Sequence, residues 1–257
     1  MTTTFLRIST SAGLIATAAL LGGCATGPDR NPRDPFEPFN RGVFEFNEAV
    51  DRAVLRPVAT VYRDATPYPV RAGVGNFFRN LTEPWSFVNH VLQLKPQAAG
   101  ETAIRFGVNT FLGFGGLIDI AGAARIPYRR QDFGQTLAHY GVPTGPYVVL
   151  PILGPSTVRD TAALPVDFKG NLLSEIDDNS VRNSLFALRV VDIRASLLGA
   201  TSVIEQAALD KYSFTRDSYL QLRRNQPRNA GDSDGDLNDS DEGNQNPIGV
   251  PPIGRFR

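Results

Sequence analysis

Apolar residues at Phe36, Phe39, Val43, Phe46, Val50 and Val54 recur every three or four positions, with Glu37, Arg41, Glu45, Glu48 and Arg52 around the rest of the wheel. This period predicts an amphipathic helix, widened by Phe44 and Leu55, that Pro57 stops or kinks. Further helices are expected between prolines: 69–81 through Val70, Val74, Phe77, Phe78 and Leu81, then 85–94 after Glu83-Pro84, then 96–112 through Ala99, Ala103, Phe106 and Phe111. Asp132 is placed to cap a short helix over 133–140 that ends at Gly141. Residues 146–151, within a Gly- and Pro-bounded stretch at 145–155, read as extended, a short strand or one arm of a hairpin. Ser156 is expected to cap a helix from Thr157 to Ala163. Asn179 or Ser180 opens a long helix carrying Val181, Leu185, Leu188 and Val191, with Leu198 near its Gly199 end. Helices over 202–209 and 214–224 complete an all-α pattern of proline-broken amphipathic segments.

Between Phe106 and Pro155 that pattern is interrupted by glycine at a density no ordinary core helix tolerates, since each interior glycine costs about 1 kcal/mol relative to alanine. Gly113, Gly115, Gly116, Gly141 and Gly145 are the candidates for tight bends or close backbone approach. Two readings stand: a loop-rich core passage, or a lining or hinge whose backbone approaches a ligand or a bilayer.

The N-terminus has a different plan. Residues 1–23 hold Arg7, a short apolar run from Ala12 to Leu20 and small residues, the layout of a secretory signal. The run is shorter than the ~20 residues that span a bilayer. It closes on Leu21-Gly22-Gly23-Cys24, which resembles the lipobox of bacterial lipoproteins, with cleavage after Gly23 and lipid on Cys24. The chain has 1 cysteine in 257 residues, so it can form no internal disulfide, and a thioether-linked lipid is its most economical role. Residues 24–33 form a proline-bearing tether, and Ala25, where aspartate would favour inner-membrane retention, points to the periplasmic face of the outer membrane.

Charge changes the picture little: 26 basic residues balance 26 acidic ones, which gives no field suited to nucleic acid. The balance hides a polar, acidic stretch at 227–257, where Asp232, Asp234, Asp236, Asp239, Asp241 and Glu242 outnumber the arginines and whose composition predicts disorder. No catalytic constellation emerges. The 2 histidines, His90 and His139, have no partner at metal-ligand spacing. Ser156 lacks the final glycine of a nucleophile elbow because Val158 stands there. Asp232-Ser233-Asp234 begins like a calcium loop, but Leu237 and Gly243 occupy the positions that need glycine and glutamate.

Several ordered motifs carry a resemblance. They are Asp34-Pro35-Phe36-Glu37-Pro38-Phe39-Asn40-Arg41, Arg56-Pro57-Val58-Ala59, Asn80-Leu81 with Glu83-Pro84, Asn109-Thr110 with Gly113-Phe114-Gly115-Gly116-Leu117-Ile118-Asp119, Gly134-Gln135-Thr136-Leu137, and Gly145-Pro146-Tyr147 through Gly154-Pro155-Ser156 with Arg159-Asp160. Across a domain at 34–226 the chain resembles the MlaA/VacJ family of outer-membrane lipoproteins. The resemblance implies a ring-like helical body in the periplasmic leaflet of the outer membrane, around an amphipathic channel and alongside trimeric porins. It implies retrieval of stray glycerophospholipids from the outer leaflet and their delivery to a soluble periplasmic carrier that feeds an inner-membrane ABC transporter. No enzymatic activity, cofactor or metal is expected beyond the diacylglyceryl and N-acyl groups on Cys24 and the phospholipid in transit. The five glycines would shape the channel, and Arg159 and Asp160 would face a head-group route or form a structural ion pair. Two other classes compete: a non-transporting periplasmic scaffold with a packed core, and an anchored lipid hydrolase using Ser156.

Overall fold

The structure, a computed structural model, describes residue 31 and residues 33–229. The signal segment, Gly23, Cys24 and most of both the tether and the acidic tail lie outside the described residues. Within them the chain is mainly helical, as the periodicity predicts, with one two-stranded hairpin.

Helix α1 (Glu37–Val50) passes without a break through a π-helical turn, Asp51–Leu55, into α2 (Arg56–Ala65). Pro57 was expected to end or kink this helix; the helix does not end there, and the irregularity lies just before the proline, in the π turn. The Arg56 N–H reaches back to the Asp51 carbonyl, so the proline's missing donor falls where the hydrogen-bond register is already changing. A second expected break also closes. Segments 69–81 and 85–94 are a single helix, α3 (Tyr68–Leu92), with Pro84 inside it. An interior proline costs about 3 kcal/mol. Here that cost is outweighed by the packing of α3 along α4 (Pro96–Phe111), while the Thr82 and Ser86 hydroxyls donate to the Arg79 and Thr82 carbonyls beside the proline.

After α4 come two tight turns and the single-turn α5 (Ile120–Ala123), then α6 (Phe133–His139), whose first turn is capped by the Asp132 carboxylate at 2.9 Å from the Gln135 N–H. Strands β1 (Tyr147–Leu150) and β2 (Gly154–Thr157) pair antiparallel, Tyr147 opposite Thr157 and Leu150 opposite Gly154, which fulfils the hairpin expectation. Ser156 is therefore a strand residue. The cap of α7 (Val158–Gly170) is Thr157, whose hydroxyl accepts the Asp160 N–H, and the helix continues past Ala163 through Pro165. A 3₁₀ turn (Leu172–Glu175) leads to α8 (Asn179–Ser196), capped by Asp178 instead of Asn179 or Ser180. Leu198 begins α9 (Leu198–Ala207) instead of ending α8, and α10 (Lys211–Asn229) runs beyond both expected ends of the last helix.

Two small apolar clusters knit these elements. One holds Tyr147, Val149, Tyr212 and Leu220, with Val43, Phe44 and Tyr219 against it, and so ties the hairpin to α1 and α10. The other joins Ala59, Ala195 and Leu198, with Tyr62 at its side. Among the described residues no helix is long and apolar enough to cross a membrane.

Candidate functional site: a polar interior under an apolar surface

The helices are amphipathic in the sense the sequence predicts and face the opposite way from those of a water-soluble bundle. On α3 the buried side chains are Asn80, Glu83, Ser86, Asn89 and His90 beside Phe78, while Phe87, Val88, Val91 and Leu92 are exposed. On α4 Thr102, Arg105 and Asn109 are buried, and Phe111 is 86% exposed. On α1 Asn40 is fully buried, whereas Phe36, Phe39 and Phe46 face outward. Among the described residues 20 polar or charged side chains are buried against 13 hydrophobic ones, 6 of which are alanine. Water as the outer solvent selects the reverse distribution.

The polar interior is organised around Arg105. Its Nε donates to Glu83 Oε1 at 2.9 Å, Nη1 to the Ile126 carbonyl, and Nη2 to Asp119 at 3.1 Å. Asp119 also accepts from Asn109 Nδ2 and the Gly122 N–H, both at 2.9 Å, and Asn109 Oδ1 in turn accepts the Ala121 N–H. The turn after α4 is thus pinned to α3 and α4 by side chains. The two carboxyls differ in environment. Burial pushes Glu83 up to about 7 against the pull of Arg105, and among the described residues its Oε2 has no partner. Burial also acts to raise Asp119, but the Gly122 N–H, Asn109 and Arg105 together hold it below its ordinary range.

His90 lies beside this network with no exposure. Burial lowers its pKa, so it is neutral, and its Nε2–H donates to the Arg129 carbonyl at 3.0 Å. It is a packing histidine. At the C-terminal cap of α3, Gln93 donates to Gln131 and Thr136, and the Thr136 hydroxyl donates to Asn89, so α6 is attached through polar groups as well.

The candidate glycines divide into three kinds. A Cβ on Gly113 would meet the Ile118 and Asn109 carbonyls at 2.3 and 2.5 Å, and one on Gly116, where φ is +93°, would meet Asn80 Cβ at 2.6 Å. Both sit where backbone is pressed against neighbouring atoms. Gly115 and Gly141 have positive φ and open space around them, which makes them turn residues. Gly145, also at positive φ, lies against Val158. Phe114, 76% exposed at the tip of the Gly113–Gly116 turn, presents its ring outward beside Phe111, Leu112, Leu117 and Ile118.

Arg159 and Asp160 are 7% and 4% exposed and pair with each other at 3.0 Å. Asp160 Oδ2 takes Arg223 Nε at 2.9 Å and the Tyr219 hydroxyl at 3.1 Å, while Arg223 Nη1 reaches Asp132 at 2.7 Å. The geometry makes them a brace joining α6, α7 and α10. Ser156 bonds to the Thr161 hydroxyl at 2.9 Å, inside the fold.

Glu83, Arg105 and Asp119 did not stand out as a site in the sequence. A signal was there: polar residues at 80, 83, 86 and 89 on α3 keep helical spacing, a stripe as regular as the apolar one.

Comparison with known proteins agrees with this architecture. The model of the family described as MlaA lipoprotein matches residues 32–226. The chain is 39% identical over 222 residues to the intermembrane phospholipid transport system lipoprotein MlaA of Escherichia coli (strain K12), covering 84% of this chain and 87% of that protein. It is 33% identical over 233 residues to the protein of the same name in Haemophilus influenzae, covering 84% and 89%. A solved structure described as the structural basis for maintenance of bacterial outer membrane lipid asymmetry superposes with a TM-score of 0.68 at 38% identity, covering 77% of this chain and all of that one.

Proposed function

This chain belongs to the MlaA lipoprotein family, and from that premise we propose that it takes part in intermembrane phospholipid transport by withdrawing glycerophospholipids from the outer leaflet of the outer membrane. The observation that carries the proposal is the inverted polarity: apolar side chains outward on α1, α3, α4 and the 112–118 turns, polar and charged ones inward. Such a body is solvated by acyl chains on its outer surface and by head groups and water within.

The energetics require that arrangement. Exposing two acyl chains, roughly 30 CH₂ groups, to water would cost on the order of 20 kcal/mol at about 0.8 kcal/mol each. A transfer device therefore keeps the chains in apolar surroundings while the charged head passes along a wetted, hydrogen-bonding path. Backbone that bends at membrane depth has to line a cavity or be covered by protein, which gives the Gly113–Gly116 turns, pinned by Asn80, Arg105 and Asn109, a place at the edge of such a path. The ring-like body sits in the periplasmic leaflet, and its closed outer wall admits lipid mainly from the opposite leaflet. Cys24, lipidated after loss of residues 1–23, holds the chain there. A trimeric porin flanks the body, and a soluble periplasmic carrier receives the lipid for an inner-membrane ABC transporter. Bond-making chemistry has no part in this reading.

Deleting the gene is expected to raise outer-leaflet phospholipid, measured by surface-specific acylation of the lipids, and restoring the chain is expected to reverse it. Unchanged outer-leaflet composition would overturn the proposal. For the anchor, metabolic palmitate should label the wild type and not Cys24→Ala.

A further inference from the structure

A Phe-Asn pair occurs twice on α1, at 39–40 and again at 46–47. Both phenylalanines are exposed, whereas both asparagines turn to the hairpin. Asn40 Nδ2 donates to the Tyr147 carbonyl at 3.0 Å, and Asn40 Oδ1 accepts the Val149 N–H at 2.9 Å. Asn47 repeats this pattern further along the hairpin: its Nδ2 donates to the Leu150 carbonyl at 2.9 Å, and its Oδ1 accepts the Ile152 N–H at 2.7 Å. The helical step from 40 to 47 rises about 10.5 Å and the strand step from 147 to 150 about 10 Å, so the two amides meet the hairpin in register. Val43 and Phe44 lie between them on the same face of α1 and pack against the cluster that holds Tyr147 and Val149.

The two ends of this seam differ. Asn40 is fully buried, and its Nδ2 also donates to Asp34 Oδ1 at 2.8 Å. Asn47 is half-buried, and its bond to the Ile152 N–H is exposed. Past it the π turn, Asp51–Leu55, contains no buried side chain. The tip that Asn47 holds is costly by itself. Ile152 is β-branched at a φ of +67°, a backbone region such residues rarely enter, and Ile152 and Leu153 are 74% and 59% exposed. Backbone N–H and C=O groups need partners where the surroundings are acyl chains, and an apolar side chain at 47 would leave both groups without one. With few buried contacts around it, the Asn47 end is where the seam opens first.

We propose that Asn47 is a positioning residue for phospholipid retrieval: by fastening the hairpin tip to α1 it closes the wall of the body between them. Acyl chains that surround Phe46, Ile152 and Leu153 then stay outside, and lipid does not enter between helix and hairpin. The part played in retrieval rests on the transport reading above; the seam itself does not.

Two measurements on the same variants test it: hydrogen exchange by mass spectrometry on the purified full chain in dodecyl maltoside, and outer-leaflet phospholipid by surface-specific acylation in cells. Asn47→Leu keeps the volume and removes the amide, while Asn47→Gln keeps the amide on a longer stem. Asn47→Leu should speed exchange over 150–153 about tenfold, the scale of two lost hydrogen bonds, leave 147–149 protected, and raise outer-leaflet phospholipid toward the level of the gene deletion. Asn47→Gln should stay near the wild type in both; a packing role would tolerate leucine better than glutamine. Unchanged exchange over 150–153 in Asn47→Leu would overturn the proposal, and so would faster exchange across the whole chain, which marks a lost fold instead of a freed tip. If the tip is freed and outer-leaflet phospholipid stays at the wild-type level while the deletion raises it, the positioning role is refuted and the transport reading stands. If the deletion itself changes nothing, the transport reading fails and takes the positioning role with it, while the freed tip still establishes the seam.

Discussion

Two glycines one position apart separate the roles glycine plays here. Gly115 has φ +72° and nothing within 4 Å of a Cβ, so Gly115→Ala carries only the left-handed backbone penalty, about 1–2 kcal/mol. Gly116→Ala adds a collision with Asn80 Cβ at 2.6 Å to a φ of +93°, and should lower the thermal midpoint well beyond the Gly115 variant. Circular dichroism of both variants in the same detergent compares them. Glu83 makes a pH prediction. It holds its proton up to about 7 in the folded chain, against 4.5 as the ordinary value, so between those values the folded state binds more protons than the unfolded one. Its contribution to stability is full below about 4.5 and fades as pH rises through about 7. The thermal midpoint of the wild type relative to Glu83→Gln should therefore fall from pH 5 to pH 8; a constant difference would show that Glu83 is ionised throughout. At this scale the sequence is readable where chemistry is local. Asp132 can be named as a cap from its position alone, whereas Ser156 and Thr157 are both good caps in isolation. Only the pairing of Ser156 with Val148 in the hairpin decides between them.

Among the elements, local rules fail where packing overrides them. Pro57 and Pro84 both read as breaks, and both lie in continuous helix, one behind a π turn and the other under the weight of the α3–α4 contact. Neither compensation is visible before the chain is folded. The exposed turn after α4 permits a direct test of what lies outside. Phe111 and Phe114 are 86% and 76% exposed, and Phe111→Asp with Phe114→Asp should weaken partition of the unlipidated chain into phospholipid vesicles. An aspartate costs about 2.5–3.5 kcal/mol near the bilayer centre and less toward the interface, so a loss of at least tenfold in vesicle flotation is expected with the circular dichroism spectrum unchanged. Equal flotation would place that turn in water.

For the molecule as a whole, hydrophobic periodicity gives the angle of each helix but not which face turns inward. Phe36, Phe39, Phe46, Phe87 and Phe111 mark the apolar faces clearly in the sequence. Whether those faces look to the core or away from it depends on the outer solvent, and a single sequence does not contain its solvent. The polar stripe of Asn80, Glu83, Ser86 and Asn89 holds the answer once α3 is seen to bury it. That inversion is the centre of the account, and accessibility of single nitroxide labels measures it on the vesicle-bound full chain. Labels at Val91, Phe111 and Phe114 should be relaxed by oxygen and ignored by a water-soluble nickel chelate, while a label at Arg130 should respond to the chelate. Outer-face labels as open to nickel as a label on an exposed polar position would contradict it.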